Sequence, residues 1–223
     1  IENLEITTIY PLILYIYKNV ENEGQRHAML GILESYLVRR NVCRLTTKNY
    51  NNVFVEIIRT MTRVSTEQHR TVTAEDLVAT LNDFDDDSNR FPDDATFADG
   101  FRTSSLSNKH AKEILYCIAL KQKHNPHADV QRLSAHSLSV EHLMPKKWED
   151  YWNEDQLGEG EKIERNKKLR TLGNLTLVTK RLNSKMQNAA WEDKTPVLRR
   201  NSSLEMTTNY RNLEAWDEDA IED

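Results

Sequence analysis

Three short motifs in the C-terminal half of the chain bring together side chains that can bind a metal ion and move a proton. A carboxylate and an imidazole stand side by side at Glu141 and His142, shortly before Pro145. One amide follows a glycine at Asn174, and a second, Asn183, lies within a basic run. Hydrolysis of a phosphodiester needs a water nucleophile, a base to deprotonate it and a cation to neutralise the phosphate. Together the motifs predict that chemistry, although each one alone is also common in structural roles.

The first motif supplies the predicted base and one predicted metal ligand. An imidazole can accept a proton near neutral pH, so His142 is the predicted general base. Glu141 is the predicted ligand. Neighbouring side chains on a regular strand point to opposite faces, so the two residues can share a cleft only at a strand end or a bulge. Pro145 is expected to end the strand because it has no amide hydrogen to donate.

The two asparagines have different predicted roles. Asn174, which we group with His142 as catalytic, either orients His142 or pins the loop beneath it, and the residues alone leave both roles open. Asn183 is expected at the start of a helix, where its amide oxygen would be the second metal ligand. One carboxylate, one amide oxygen and several waters suit Mg²⁺ best, with Mn²⁺ as the second choice, and suit zinc less.

Basic residues cluster around these motifs although the whole chain is acidic. The formal net charge is -5, but residues 162–200 contain eleven Lys or Arg and three acidic residues. Such a local excess of positive charge is typical of a surface that binds a polyanion. The same charges could simply solvate a helix and a loop. The predicted contacts to DNA phosphates are Lys180, Arg181, Lys185 and Lys194.

The elements that must position these groups are mostly helices. Apolar residues at helical spacing predict helices over residues 12–17, 25–40, 50–64, 74–81 and 108–123. Thr73 and Ser107 are predicted N-caps, because their hydroxyls can accept from the first turn. Residues 82–100 are rich in Asp, Asn, Ser, Pro and Gly and are expected to form a loop.

The C-terminal half has a different pattern. Short strands are predicted over 137–141 and 172–179, and a helix from residue 180. Residues 146–170 between the strands are expected to be irregular and filled by Trp148 and its aromatic neighbours. The predicted fold class is therefore α+β, mainly α-helical. The predicted domains are a helical region over 1–130, a strand–loop–strand–helix module over 131–200, and a helical segment over 201–223 that packs on the helical body.

Several classes of protein are excluded by composition. Cys43 and Cys117 lie far apart without a metal-binding spacing, so we expect neither a disulfide framework nor a zinc ribbon, and a reducing cytosol is the default. The longest apolar run, residues 9–20, is too short to span a bilayer, so no membrane association is expected. The chain begins at Ile1 rather than Met, and we expect it to be part of a longer protein.

These motifs resemble the His-Asn-His (ββα-metal) nucleases, and in particular the C-terminal region of GmrSD-type modification-dependent restriction endonucleases and related phage-defence DNA nickases. The resemblance is carried by Glu141-His142-Leu143-Met144-Pro145, Leu172-Gly173-Asn174-Leu175-Thr176-Leu177 and Leu182-Asn183-Ser184-Lys185, followed by Trp191 and Lys194. It is specific between residues 140 and 195 and weaker over most of the remaining chain.

The resemblance implies the same assignment as the chemistry. His142 would be the general base, Glu141 and Asn183 the metal ligands, and Asn174 the structural middle residue of the motif. Two positions depart from the wider superfamily, since Glu141 stands where Asp is commoner and Asn183 where many members have His. Both departures keep oxygen ligands and therefore affect metal preference more than activity.

The resemblance also implies partners and a biological setting. The substrate would be double-stranded DNA, cut or nicked in a prokaryotic cytoplasm as part of an anti-phage restriction system. An N-terminal ParB-like, nucleotide-dependent domain of the same protein would sense the DNA modification, and an oligomer is compatible with the sequence. Two other functions stay open: a non-catalytic DNA-binding or regulatory module on the same fold, and a helical protein-interaction domain.

Overall fold

The computed structural model describes residues 6–122, 135–150, 152, 157–202, 204–208, 210 and 212–222. They belong to two compact units, Ile1–Gly100 and Phe101–Asp223. Helices dominate the described residues, and their sheet has two antiparallel strands, so the predicted α+β, mainly helical fold class is confirmed. The predicted boundary at residue 130 lies outside the described residues.

The first unit is built from helices that share one apolar core. Its helices are α1 (Tyr10–Asn19), α2 (Glu23–Val42), α3 (Tyr50–Gln68), α4 (Ala74–Asn82) and the first part of α5 (Asp94–Thr103). Each of α1 to α4 turns an apolar stripe inward, as the helical spacing predicts. Fully buried members of the core include Leu12, Ile16, Met29, Leu33, Ile57 and Leu77.

Helix α4 begins at its predicted cap, whereas the sequence analysis missed helix α5. Thr73 caps α4, and the Asp76 carboxylate accepts from the Thr73 amide at 2.8 Å to complete a capping box. The prediction of a loop over residues 82–100 is wrong at its end, where α5 begins. There Asp93 Oδ1 accepts from the Thr96 amide at 2.8 Å, so residues typical of a loop serve instead as the start of a helix.

The second unit surrounds a two-stranded hairpin with helices. Its elements are the end of α5, α6 (Asn108–Lys121), β1 (Leu138–His142), α7 (Glu159–Lys168), β2 (Leu175–Thr179), α8 (Lys180–Met186), α9 (Trp191–Asn201), α10 (Glu205–Thr208) and α11 (Glu218–Glu222). The strands pair from Leu138 opposite Thr179 to His142 opposite Leu175. Both predicted strands and the helix from residue 180 are present.

The insert between the strands is more regular than expected. Helix α7 forms within residues 146–170, and the Glu161 carboxylate accepts from the Gly158 amide at its start. Charged side chains of α7 pair at i,i+3, as Lys162 does with Glu159, and no residue of the helix is buried. Helix α7 therefore has no apolar stripe that faces inward. The sequence analysis missed this helix because it predicted helices from such stripes.

Three tryptophan side chains belong to the apolar core of the second unit. Trp148 is fully buried, which agrees with its predicted role as filling of the insert. The Trp191 and Trp216 rings lie 5.3 Å apart between centroids. Trp216 belongs to the C-terminal segment, whose buried residues thus join the core of the strand-containing unit, whereas the sequence analysis placed this segment on the helical body. Helix α6, assigned to the helical region from its spacing, also lies in this unit.

Two simpler expectations can be compared with the structure. Neither Cys43 nor Cys117 is part of a disulfide. Among the residues that the structure describes, no helix combines the length and the apolar character needed to cross a bilayer.

Candidate active site

An open cavity of about 490 Å³ lies beside the hairpin and α8, within the second unit. It gathers three of the four predicted central residues, Glu141, His142 and Asn183, while Asn174 lies elsewhere. The complete lining is polar or basic apart from two residues and consists of Asn108, Ser139, Val140, Glu141, His142, Pro145, Lys146, Lys180, Asn183, Ser184, Gln187 and Asn188.

Glu141 and His142 line this cavity at the end of β1. Pairing with β2 is regular up to His142, the last residue of the strand. Of the two arrangements that the sequence leaves open, the structure thus has a strand end rather than a bulge. Glu141 is buried and His142 is half-buried.

His142 is held in its neutral form. Burial, together with the positive charges of Lys146 and Lys194, lowers the pKa of His142 to about 4. The imidazole is therefore unprotonated at pH 7, which is the form that can accept a proton.

Asn183 is positioned by the junction between β2 and α8. Helix α8 starts directly after β2, with the Thr179 hydroxyl accepting from the Leu182 amide, so residue 183 lies one turn into the helix, opposite β1. The Asn183 side-chain nitrogen donates to the Val140 carbonyl at 2.8 Å. Because the nitrogen of the amide is used in this way, its oxygen is left as the atom that can serve a cation in the cavity.

Lys194 is placed differently from its predicted role as a phosphate contact. It is fully buried, on the inward side of α9. Its ammonium donates to Glu141 Oε1 at 2.6 Å and to the His142 carbonyl at 2.6 Å. A side chain without exposed surface cannot bind the DNA backbone, so in this structure Lys194 supports the two central residues of β1 instead.

The Glu141–Lys194 pair is the strongest electrostatic feature next to the cavity. Burial raises the pKa of Glu141 and lowers the pKa of Lys194, while the charge of each residue opposes the shift of the other. A separation of 2.6 Å and a second oxygen acceptor on the ammonium favour the charged forms of both residues. Removing either partner alone would leave a buried charge uncompensated.

Asn174 pins the loop that follows β1. It is fully buried, and its nitrogen donates to the Met144 carbonyl at 2.8 Å and the Leu169 carbonyl at 3.0 Å. Its oxygen accepts from the Met144 amide at 2.8 Å and from the Trp216 indole at 3.0 Å. The amide thus uses its full hydrogen-bonding capacity on structural partners, which corresponds to the loop-pinning alternative rather than to a bond with His142.

Gly173, next to Asn174, allows the C-terminal helix to approach. A Cβ atom at Gly173 would lie 2.0 Å from the carbonyl oxygen of Ile221 in α11. This distance is far below a van der Waals contact and involves backbone, so a larger residue would displace α11. The glycine of the second motif is therefore required by packing within the second unit.

The cations near the cavity only partly match the predicted set. Lys180 lines the cavity, whereas Arg181 and Lys185 are exposed on α8 outside its lining. Lys146, which also lines the cavity, was missed, although its place just after Pro145 at the end of the first motif could have indicated it. Other residues of the basic run bind acids of the same unit, as Arg165 does with Glu218 and Lys168 with Glu222.

The donor set at the cavity suits a hard, partly hydrated cation. Among the described residues there is no group of three or more His, Cys, Asp or Glu that could hold a metal ion. The oxygen donors are one carboxylate, Glu141, and one amide, Asn183, which both line the cavity. Mg²⁺ and Mn²⁺ accept few protein oxygens and keep several waters, so this set fits them, whereas zinc prefers a closed set of nitrogen and sulfur ligands.

The fold and the site define a mainly helical α+β domain. A polar cavity lined by lysines lies beside the hairpin of this domain. The family model for the C-terminal domain of GmrSD restriction endonucleases matches residues 91–223. The chain therefore belongs to this family and contains a nuclease domain of the restriction endonuclease type, which confirms the resemblance to the C-terminal region of GmrSD-type restriction endonucleases.

The match has a clear extent. It begins shortly before α5 and includes the whole second unit with its cavity. Helices α1 to α4 lie outside it, so the weak resemblance of the first helix to the family stays a prediction. No curated protein gave a match to this chain.

Proposed function

We propose that this domain is a divalent-metal-dependent DNA endonuclease of the His-Asn-His (ββα-metal) type. The observation that carries the proposal is the cavity, which collects Glu141, His142 and Asn183 between Lys146 and Lys180. A buried carboxylate, a neutral imidazole, an amide oxygen and two exposed lysines are the groups that hydrolysis of a phosphodiester requires.

Each residue has a role in this proposal. Glu141 and the Asn183 amide oxygen would hold the ion, with Mg²⁺ preferred and Mn²⁺ as the alternative. A bound ion would neutralise charge on the phosphate and on the leaving oxygen. The neutral imidazole of His142 accepts a proton from the attacking water. Asn174 holds residues 143 and 144 in place and so fixes the end of β1, without touching the substrate.

Substrate binding relies on the exposed cations. Lys146 and Lys180 at the cavity attract the scissile phosphate, because the one carboxylate among the described lining residues, Glu141, is neutralised by Lys194. Arg181 and Lys185 on α8 extend the positive surface to neighbouring phosphates. Contacts of this kind position the backbone without reading the base sequence, so we expect little sequence preference.

We further propose the biological setting that the family suggests. The domain would act on double-stranded DNA of phage in the prokaryotic cytoplasm, within a modification-dependent restriction system. Recognition of the modification would reside in an N-terminal ParB-like, nucleotide-dependent domain of the longer protein. One active site per chain produces a nick, and paired chains would be needed for a double-strand break.

The function is tested with supercoiled plasmid and the full chain. With Mg²⁺ or Mn²⁺ we expect conversion to open circles, and with EDTA none. Binding of DNA without conversion in any metal would favour the alternative of a non-catalytic DNA-binding or regulatory module. Binding no stronger than that of an acidic control protein would favour the third possibility, a protein-interaction domain.

The exposed cations of α8 give a separate prediction on DNA affinity. Replacing Lys180, Arg181 and Lys185 together by alanine should weaken DNA binding about tenfold or more and should flatten its dependence on salt, because fewer counterions are released. Fluorescence anisotropy at several salt concentrations measures both effects.

Two lysines of α7 provide the control. Lys162 and Lys167 already pair with Glu159 and Glu164, so their replacement by alanine should change DNA affinity much less. Equal effects of the two sets would mean that α8 is not the DNA-binding surface.

A further inference from the structure

Lys194 contacts the proposed metal ligand from inside the protein. It has no exposed surface and does not line the cavity, yet its ammonium lies 2.6 Å from Glu141 Oε1. One carboxylate oxygen is therefore held by a lysine in the core, and Oε2 is left as the oxygen that can serve a cation in the cavity. The second bond, to the His142 carbonyl, fixes the ammonium at this point.

The contact with Lys194 reduces the negative charge that a metal ion in the cavity would meet. Glu141 is the one carboxylate among the described lining residues, and Lys194 cancels its charge. Asn183 contributes a neutral oxygen, and Lys146 and Lys180 add positive charge. A divalent cation thus meets two protein oxygens of a suitable type but no net negative charge, so these ligands alone hold an ion that dehydrates reluctantly only weakly.

A DNA phosphate would supply what this site lacks. It brings negative charge and oxygens to the same cavity, and the cations of Lys146 and Lys180 attract it there. We propose that Lys194 makes metal binding depend on DNA: by neutralising Glu141 and holding one of its oxygens, it leaves a site that binds a divalent ion tightly only together with a phosphate. The proposal rests on the proposed nuclease function, since it assigns metal and DNA to the same cavity.

The test measures Mn²⁺ binding to the full chain by electron paramagnetic resonance at pH 8, with and without a short DNA duplex. The His142→Ala background is used in every sample so that the duplex stays intact. We expect DNA to tighten Mn²⁺ binding at least about tenfold when Lys194 is present. The attraction between a divalent cation and a phosphate charge a few ångströms away reaches about this size even at the dielectric constant of water, and so does the repulsion between that cation and a lysine.

Variants distinguish an effect of the Lys194 charge from a role in which Lys194 only holds Glu141 in place. Lys194→Met should bind Mn²⁺ without DNA at least about tenfold more tightly than the parent, so that the effect of DNA becomes smaller. Glu141→Gln should lose Mn²⁺ binding in both conditions. Lys162→Met, which removes an exposed lysine of α7, should behave like the parent. Circular dichroism and thermal melting verify that each variant is folded.

Two results would overturn the proposal. One is a folded Lys194→Met protein that binds Mn²⁺ no more tightly than the parent, because Lys194 would then only hold Glu141 in place. The other is equal Mn²⁺ affinity of the parent with and without DNA, which decides the matter even if Lys194→Met does not fold. If the chain cleaves plasmid but DNA does not tighten its Mn²⁺ binding, only the inference about Lys194 is refuted. If DNA tightens Mn²⁺ binding as expected but plasmid is not cleaved, only the nuclease function is refuted.

Discussion

Replacing His142 by alanine is expected to lower the rate of plasmid cleavage by about two to four orders of magnitude, the usual contribution of a positioned base. The imidazole lines the cavity beside the proposed metal ligand Glu141. Its pKa of about 4 keeps it neutral at the pH of the assay. The measurement is a single-turnover rate with Mg²⁺ at saturating protein, so that a change in DNA affinity does not enter.

Folding should survive this substitution, because the structural bond at residue 142 belongs to the backbone. Lys194 donates to the His142 carbonyl, which alanine retains, and the imidazole itself is only half-buried. His136→Ala is the matched control, since His136 is exposed and does not line the cavity. Added imidazole should restore part of the rate of the His142→Ala variant and not change the control. Cleavage by His142→Ala at the parental rate would remove His142 from the mechanism.

The residues that meet in the cavity were predictable because their chemistry is local. Glu141 and His142 are adjacent on one strand, and Asn183 follows the second strand within one helical turn. Hairpin pairing then brings the two segments together, and each segment is short and shows a clear pattern. The order of these segments along the chain therefore predicted both strands and the place of Glu141, His142 and Asn183 at one cavity.

Lys194 shows where such reasoning fails. A lysine within a basic run is readily interpreted as a phosphate contact, and its charge alone does not indicate that it is buried. The helical spacing of α9 did contain a signal, because Trp191, Thr195 and Leu198 all face inward together with Lys194. A charged residue on the apolar side of a helix is rarely buried unless it is paired, so this position indicates an internal ion pair.

Helices α5 and α7 were missed for a physical reason as well. Both are rich in polar residues, and α7 has no buried residue among those described. Their first turns are capped by Asp93 and Glu161, a signal that a search for apolar spacing does not detect. Packing of the C-terminal segment was not predictable from local patterns either, since it joins Gly173 and Ile221 across a large separation in sequence.

Asn174→Ala should strongly destabilise the second unit. It would leave four groups without their partner: the Met144 amide, the Met144 carbonyl, the Leu169 carbonyl and the Trp216 indole nitrogen. Each buried group that loses its hydrogen bond costs about 1–3 kcal/mol. The expected loss is therefore at least about 4 kcal/mol, a large part of the roughly 5–15 kcal/mol that stabilise a typical domain.

Tryptophan fluorescence during urea unfolding measures this loss in the right unit. All four tryptophans of the chain, at positions 148, 152, 191 and 216, belong to the second unit. Asn183→Ala is the control, because it removes the bond of a half-buried amide to the Val140 carbonyl and should cost only about 1 kcal/mol. If both variants unfold at the same urea concentration, Asn174 does not hold the loop after β1. If only Asn174→Ala is destabilised and its remaining folded fraction still cleaves DNA, the middle asparagine acts through the loop rather than through His142.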